Sequence, residues 1–558
     1  MNEYMKLKES NCRNCYKCIR HCPVKSISFS SNQAQIVGEE CVLCGQCFVV
    51  CPQNAKEIRS DIGKAKALIE SGAEVYASIA PSFVANYEGM TIGSMEKALK
   101  ALGFSGTEET ALGATMVKKR YDEMVDEARQ SVVISSCCHT VNLLIQKHYP
   151  EAVRHIAQVQ SPMTAHCQSI KKRYPQAKTV FIGPCISKKA EAEAYPDAVD
   201  CVLTFEELSE WLDECDVTLE SMPNDNAQSR ARLFPTAGGI LNTMEKRNPD
   251  YSYISIDGME NCLMALKDIS EGNLSHCFIE MSACAGSCIG GPGMDKNRRS
   301  PVSEYVAVRL SAGRDDFDVT MPSAKELERR ISYIGLHRQM PGGSAVEEVL
   351  RRMGKTRPEH ELNCGTCGYN TCREKAVAVL LGKADLSMCL PFLKERAESF
   401  SNNIISNTPN GIVVLNEMLE VQQVNGAACE IMNVKDSHDV LGEQVHRILD
   451  PQVFYEVLQN GANVYNKRVY LAEYRRYVEQ TVIHDASYHI LIGFMRDVTE
   501  EELAREKKED ISRRTIAITD KVIEKQMRTV QEIASLLGET TAETKIALTR
   551  LKESLFDE

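Results

Sequence analysis

Twenty-three cysteines in a chain of 558 residues, and their uneven placement, constrain this protein more than any other feature. Eight fall between Cys12 and Cys51, four between Cys364 and Cys389, and only Cys429 lies beyond. Residues 1–11 are polar and carry no apolar leader, so the expected setting is the reducing cytoplasm. There, dense cysteine points to metal or redox chemistry, not to disulfides. Residues 12–23 read CRNCYKCIRHCP and residues 41–52 read CVLCGQCFVVCP, each C-x2-C-x2-C-x3-C-P. In such a run three thiolates wrap one face of a 4Fe–4S cube and the fourth reaches a neighbouring cube. The spacing assigns one cluster to Cys12, Cys15, Cys18 and Cys51, and a second to Cys41, Cys44, Cys47 and Cys22. Pro23 and Pro52 then stop the chain from continuing as helix. Paired zinc knuckles would use the same ligands, but the doubled run with its trailing proline favours a two-cluster electron wire.

The chain is too long for one core, so several domains are expected. Sixty-five Lys and Arg stand against 77 Asp and Glu, a net charge of −12 that disfavours a phosphate-tracking nucleic-acid binder. No apolar run approaches the ~18 residues of a membrane span. From residue 60 to about 352, amphipathic helices alternate with short apolar strands, among them Val75–Ile79, 131–134, 179–182 and 277–279. This is an α/β pattern. Three strands run into cysteine-bearing loops: SSCCHT at 135–140, GPCISKK at 183–189 and EMSACAGSCIGG at 280–291. Ligands at the carboxyl ends of strands are what an open α/β fold offers. Cys138, Cys185, Cys284 and Cys288 supply four thiolates for one more cubane.

The first module resembles the bacterial dicluster ferredoxins. The three loops, over roughly residues 75–300, resemble the catalytic domain of the FeFe-hydrogenases, whose loops hold the H-cluster, a 4Fe–4S cube joined to a diiron CO/CN/dithiolate unit. That resemblance implies that Cys138, Cys185 and Cys284 bind the cube and that Cys288 bridges it to the diiron unit. It also implies that Cys137 relays protons, that Lys188 donates to an iron-bound cyanide, and that Ala80, Pro81 and Ser82 hold the other cyanide. Ser161 and Pro162 match a further pocket-lining segment. There are departures. Gly183 and Ser282 stand where active members carry methionines, and His139, Val141 and Met163 replace the usual proline, tryptophan and glutamine-type residues. The glutamates and serine of the usual proton path give way to KKRYDEM at 118–124 and to Ala157. Glu108, Glu109, Asp122 and Glu123 are the candidate substitutes. A kept metal pocket with a rewritten proton path fits the slow, sensory clades of the family. Cys167, Cys201, Cys215, Cys262 and Cys277 lack ligand spacing and are expected as core thiols.

Residues 364–391 hold C-x2-C-x4-C-x16-C-P, which resembles a small single-cluster iron–sulfur domain. Cys364, Cys367, Cys372 and Cys389 would bind its 4Fe–4S cluster, although tetrahedral zinc also accepts four such cysteines. Residues 401–425 read as a helix, a turn and two alternating strands, and with the later strands resemble a PAS domain, Asn425 at its asparagine and Asp497-Val498-Thr499 at its exit. His438, His446, His484 and His489 are expected at the surface or in the core, not on haem. Ile516, Ile523, Val530 and Leu537 recur every seven residues, a coiled-coil seam implying a homodimer. Residues 532–552 suggest helix–Gly–helix, but Lys545, Arg550 and Lys552 are too little basic charge for DNA.

The expected organisation is a dicluster domain at 1–58, an H-cluster domain at 59–355, a single-cluster domain at 356–395, a PAS domain at 396–500 and a partner-docking helical tail at 501–558. The expected fold is multidomain α/β with an α+β PAS module. The expected function is sensory: binding or slow oxidation of hydrogen, electron relay to a partner such as ferredoxin, and signalling to a separate phosphatase or kinase. A catalytic ferredoxin-linked hydrogenase and a non-enzymatic iron–sulfur scaffold are the alternatives.

Overall fold

The computed structural model describes residues 3–30, 33–223, 229–295, 300–335 and 340–554. They form two units, 1–393 and 394–558. In the first, strands β1 (Met5–Leu7), β2 (Ile27–Ser30), β3 (Gln33–Ile36) and β4 (Lys56–Ile58) make two antiparallel pairs, β1 with β4 and β2 with β3. These pairs are too small to bury a core alone. Ile19, Ile27, Val42 and Phe48 instead share one apolar cluster with Leu144 and Ile279 of the middle region. The ferredoxin-like module is therefore fused to its neighbour.

The middle region is built on strands β5 (Val75–Ile79), β6 (Gly106–Glu109), β7 (Val132–Ile134), β8 (Lys178–Gly183), β9 (Cys201–Thr204), β10 (Ser252–Asp257) and β11 (Cys277–Ser282). All pair in parallel, in two sheets ordered β6-β5-β8-β9 and β10-β11-β7. Every residue of β7 and β11 is buried, the pattern of parallel strands covered on both faces. Helices Ile92–Ala101, Ser187–Ala194 and Met259–Ser270 provide the crossovers that parallel pairing requires between β5 and β6, β8 and β9, and β10 and β11. The four expected strands are present, with β11 extended to Ser282. Cys167, Cys201, Cys262 and Cys277 are buried, but Cys215 is exposed because it caps the surface end of helix Phe205–Glu214.

The second unit carries β12 (Gly411–Asn416), β13 (Val421–Val424), β14 (Val464–Leu471), β15 (Arg476–Asp485) and β16 (Ile490–Asp497) in one antiparallel sheet, ordered β13-β12-β16-β15-β14. Val413, Leu415, Phe454, Val482 and Leu491 fill its core. Asn425 is buried where β13 ends. Its Oδ1 accepts from Ile412 and Ala428 N–H at 2.8 and 2.9 Å, and its Nδ2 donates to the Ile405 and Asn410 carbonyls. His438, His446 and His489 are exposed and His484 is half-buried. The tail corrects an expectation: Thr499–Ser554 is one continuous helix, passing through Gly538 without a turn. A lone glycine costs a helix only about 1 kcal/mol, and Leu536 and Leu537 before it are good formers. No helix among the described residues is long and apolar enough to cross a membrane.

Lys189 ties the segment after β4 to the middle region. Its fully buried ammonium lies 2.8 Å from Asp61 and 2.9 Å from Glu207, and donates to the Val202 carbonyl. Lys189→Met leaves two buried carboxylates facing each other. It should destabilise the protein by about 3–5 kcal/mol, read as a lower urea midpoint; an unchanged midpoint would mean the pair relaxes into solvent.

Candidate metal centre

Five parallel strands deliver their carboxyl ends to one cavity of about 100 Å³. Beyond β5 come Ala80, Pro81 and Ser82; beyond β7, Cys137 and Cys138; beyond β8, Pro184, Cys185 and Lys188; from β11 and the loop after it, Glu280, Met281, Ser282, Ser287 and Cys288. Thr110, after β6, completes the wall. Cys284 sits with the same thiols: its pKa is driven well up by burial first, then by Cys185, Cys138 and Cys288. Of the 161–162 pair, only Pro162 faces the cavity. Ser161 is the buried cap of helix Pro162–Arg173, its Oγ accepting from Thr164 N–H.

Does this cavity fit an H-cluster? The Ser82 hydroxyl is buried and, among the described residues, finds no hydrogen-bond partner. An orphaned buried donor is costly unless a ligand satisfies it. Lys188 also reaches the wall. Its Nζ donates to the Cys137 carbonyl at 3.2 Å and pairs with Glu191 at 2.5 Å. Burial pulls the ammonium toward neutrality, but the Glu191 carboxylate overrides it and the net shift is upward. Glu191 in turn binds Arg329, whose guanidinium contacts Tyr195 and His139. Four thiols, a fixed ammonium and a spare hydroxyl suit a cubane carrying anionic cyanide ligands. The residues fit the group.

Cys137 is held by Tyr121, their Sγ and Oη 3.2 Å apart. Burial pushes the thiol up to about 12, so it keeps its proton at neutral pH. Tyr121 belongs to the expected KKRYDEM replacement, and it occupies the space beside the thiol with a phenol instead of a carboxylate. Gly183 has a packing explanation. A Cβ there would lie 2.7 Å from the Phe181 ring, and Phe181 itself lines the cavity in place of a longer side chain at 183. Of the candidate acids, Glu109 pairs with Arg232, Asp122 accepts from Glu245 N–H, and Glu123 pairs with Arg120. Glu280 and Thr110 are cavity residues that the motif comparison did not identify. Glu280 was hidden because an acidic residue inside an apolar strand carries no periodic signal.

The other cysteine sets form cages around this centre. Cys22, Cys41, Cys44 and Cys47 line one pocket, and Cys364, Cys367, Cys372 and Cys389 another. The Cys18 thiol is raised to about 11, by burial first and then, against Lys56, by Cys12 and Cys15. Cys51 accepts from Ala55 N–H. Among the described residues, no three Cys, His, Asp or Glu side chains group as a site for one metal ion. The cages adjoin one another. Cys44 is among the groups acting on Cys284. A Cβ on Gly45 would lie 2.5 Å from Pro292, in the loop after Cys288. On the other side, Arg20 donates to the Thr366 carbonyl and Lys25 to that of Gly368.

Glu280 carries a pH signature. Burial raises its carboxyl to about 7 from an ordinary 4.5, opposed by backbone N–H groups of residues 238–241. Between those values the unfolded chain ionises and the folded chain does not, so folding stability falls as pH rises from about 4.5 to 7. Relative to Glu280→Gln, the natural chain should lose about 3 kcal/mol over that interval. Urea midpoints of both proteins across pH check it; parallel curves would contradict a buried protonated Glu280.

Residues 73–292 match the iron-only hydrogenase large subunit, C-terminal domain, family. Residues 4–52 match a 4Fe-4S dicluster domain, and residues 361–391 an Fe-S cluster family. Iron hydrogenase 1 of Clostridium pasteurianum is 22% identical over 284 residues, covering 40% of this chain and 49% of that protein. The periplasmic Fe hydrogenase large subunit of Nitratidesulfovibrio vulgaris is 23% identical over 366 residues, covering 52% of this chain and 86% of that one. Cytosolic Fe-S cluster assembly factor NAR1 of Kluyveromyces lactis is 22% identical over 274 residues, 42% of this chain and 57% of that one. The chain thus spans about half the length of the clostridial relative. Residues 73–292 thus form a domain of the iron-only hydrogenase large-subunit type, preceded by a 4Fe-4S dicluster domain at 4–52.

Proposed function

We propose that this protein is a hydrogen-reactive iron–sulfur oxidoreductase of low turnover, whose redox state is read out through its C-terminal unit. The observation that carries the reading is the convergence of Cys138, Cys185, Cys288, Lys188 and the unpartnered Ser82 hydroxyl on one buried cavity. When bound, the H-cluster supplies the centre at which hydrogen is split into protons and electrons. Cys138, Cys185, Cys284 and Cys288 would hold it through their thiolates. Lys188, kept charged by Glu191, and Ser82 would donate hydrogen bonds to anionic ligands from buried positions. Cys137 presents a proton at Sγ on the cavity wall. Electrons leave by way of the cages at Cys44 and Cys22, toward a ferredoxin-class partner.

The low-turnover element rests on the departures around the cavity: Tyr121 beside the thiol, and no carboxylate in the usual place. The sensory element rests on the second unit. Its strand order and the buried Asn425 support a PAS reading, and Asp497, which pairs with Arg476 and accepts from Thr499 N–H, ties the last strand to the tail helix. Along that helix Ile516, Ile523, Val530 and Leu537 are all more than half exposed, a stripe suited to homodimerisation and to a separate kinase or phosphatase. The scaffold reading draws on the likeness to NAR1. It leaves Lys188 and Ser82 unexplained, since a bare cubane needs neither.

Infrared spectra of anaerobically matured protein should show iron-bound CO and CN bands, with hydrogen oxidation well below that of fast hydrogenases. No such bands would mean a scaffold, and fast turnover would mean a catalytic enzyme. Cys137→Ala should keep the bands and slow turnover by at least ~100-fold. Charged residues at Ile523 and Val530 should abolish dimerisation, measured by light scattering, and leave hydrogen activity intact; a parallel loss of activity would make the tail part of the enzyme.

A further inference from the structure

Among the described residues, the hydrogen bonds that run from the Cys137 thiol away from the cavity reach no exposed group. The thiol's partner Tyr121 is fully buried, Tyr121 meets Ser136 Oγ at 2.9 Å, and the Ser136 hydroxyl donates to the Val159 carbonyl. That branch ends on backbone. A second branch starts at Thr110, also on the cavity wall. Thr110 Oγ1 lies 2.8 Å from Ser78 Oγ, and Ser78 Oγ lies 2.8 Å from His166 Nδ1. The far ring nitrogen, His166 Nε2, is 3.1 Å from Glu108 Oε2, and Glu108 is held by Arg173 at 2.5 Å. Ser78 and His166 are fully buried, Glu108 is one-fifth exposed and Arg173 about half exposed. His166 and Arg173 also line a second, larger cavity of about 780 Å³. We propose that Thr110, Ser78, His166 and Glu108 form the proton route between the metal cavity and solvent in this protein. The inference rests on the hydrogenase reading above.

The donors all point outward. Burial pulls His166 toward neutrality against Glu108, so the ring carries one proton. Glu108 is brought down to about 2: burial alone would raise it, but His166 and Arg173 hold it ionised. A carboxylate cannot donate, so the ring proton must sit on Nε2, which leaves Nδ1 free to accept from Ser78. Ser78 in turn accepts from Thr110. A proton released in the cavity binds to Thr110 Oγ1 while the Thr110 proton passes to Ser78, the Ser78 proton to Nδ1, and the Nε2 proton to Glu108, which releases it to water. Thr110, Ser78 and Glu108 each gain one proton and lose one, and the His166 ring gains one at Nδ1 and loses one at Nε2. The ring and hydroxyls then return to their starting orientation before the next transfer. The two electrons of the split hydrogen go to the iron–sulfur clusters. Uptake runs the same links in reverse from the Nδ1–H form of the ring. Groups that merely satisfy one another in the core do not require a chain reaching from the cavity wall to a partly exposed carboxylate.

The test uses the full-length matured protein with para-hydrogen in D2O. Conversion of para- to ortho-hydrogen reports splitting alone, whereas HD release requires the proton to exchange with solvent. Ser78→Ala and Glu108→Gln should lower HD release by ~100-fold relative to conversion, the scale of losing a positioned proton donor, with CO and CN bands and iron content unchanged. Conversion with unaltered HD release in both variants overturns the route. Absence of conversion in the natural protein overturns the hydrogenase reading and the route with it. A second measurement needs no activity: nitrogen NMR of histidine-labelled full-length protein, with the His166 signals assigned by their loss in His166→Gln. It should show a neutral Nε2–H ring whose Nδ1 signal shifts in Ser78→Ala. A proton on Nδ1 overturns the outward order of donors.

Discussion

One buried carboxylate, Glu191, holds the metal cavity in shape. It has no exposed surface, and it neutralises both Lys188 and Arg329. The resulting pull keeps its own pKa far below the usual carboxylate range, although burial alone would raise it. Without that carboxylate, a buried ammonium and a guanidinium would face each other in low dielectric, a cost of several kcal/mol. Through Lys188 it fixes the Cys137 carbonyl, and through Arg329 it reaches His139 and Tyr195. The loop after β7, the loop after β8 and the segment near residue 329 are thus joined through one side chain. His139 belongs to this network: burial drives its ring to about 3, so it stays neutral beside two cations.

Around this centre, the iron–sulfur modules gain rigidity by sharing apolar surface. Ile19 and Phe48 of the dicluster module, Leu144 and Ile279 of the middle region, and Tyr369 and Met388 of the small cysteine domain lie in one continuous cluster. A two-stranded pair cannot exclude water from a cubane, but a common core can. The small domain stands against the dicluster module, with Lys25, Arg20 and Lys383 crossing the join. Burial and the thiols of Cys367 and Cys22 both raise Tyr369, so these two cages act on a common side chain. In sequence the small domain follows the hydrogenase-type region; in space its partner is the amino-terminal module.

The sequence by itself determined the clustered cysteine runs and the short apolar strands of the middle region, because these depend on short-range spacing. A thiol run must fit the edge of a cube, and a buried parallel strand must be apolar throughout. Asn425 and the Asp497-to-Thr499 exit were legible for the same reason, each being a local cap. The tail was misread at Gly538, where the strength of its neighbours, not the glycine, decided the helix.

Only the tertiary structure decided which polar residues face one another. Ser78 and His166 are 88 residues apart and Lys118 and Asp316 are 198 apart, and no periodicity links such pairs. Glu108 looked like any charged residue at a strand end until the fold set it against His166 and Arg173. Ser161 looked like a pocket residue until its helix turned the hydroxyl inward as a cap. Spacing along the chain records what a residue can bind locally. Which buried groups share protons is set by how strands and helices pack, since those contacts form only when the core closes.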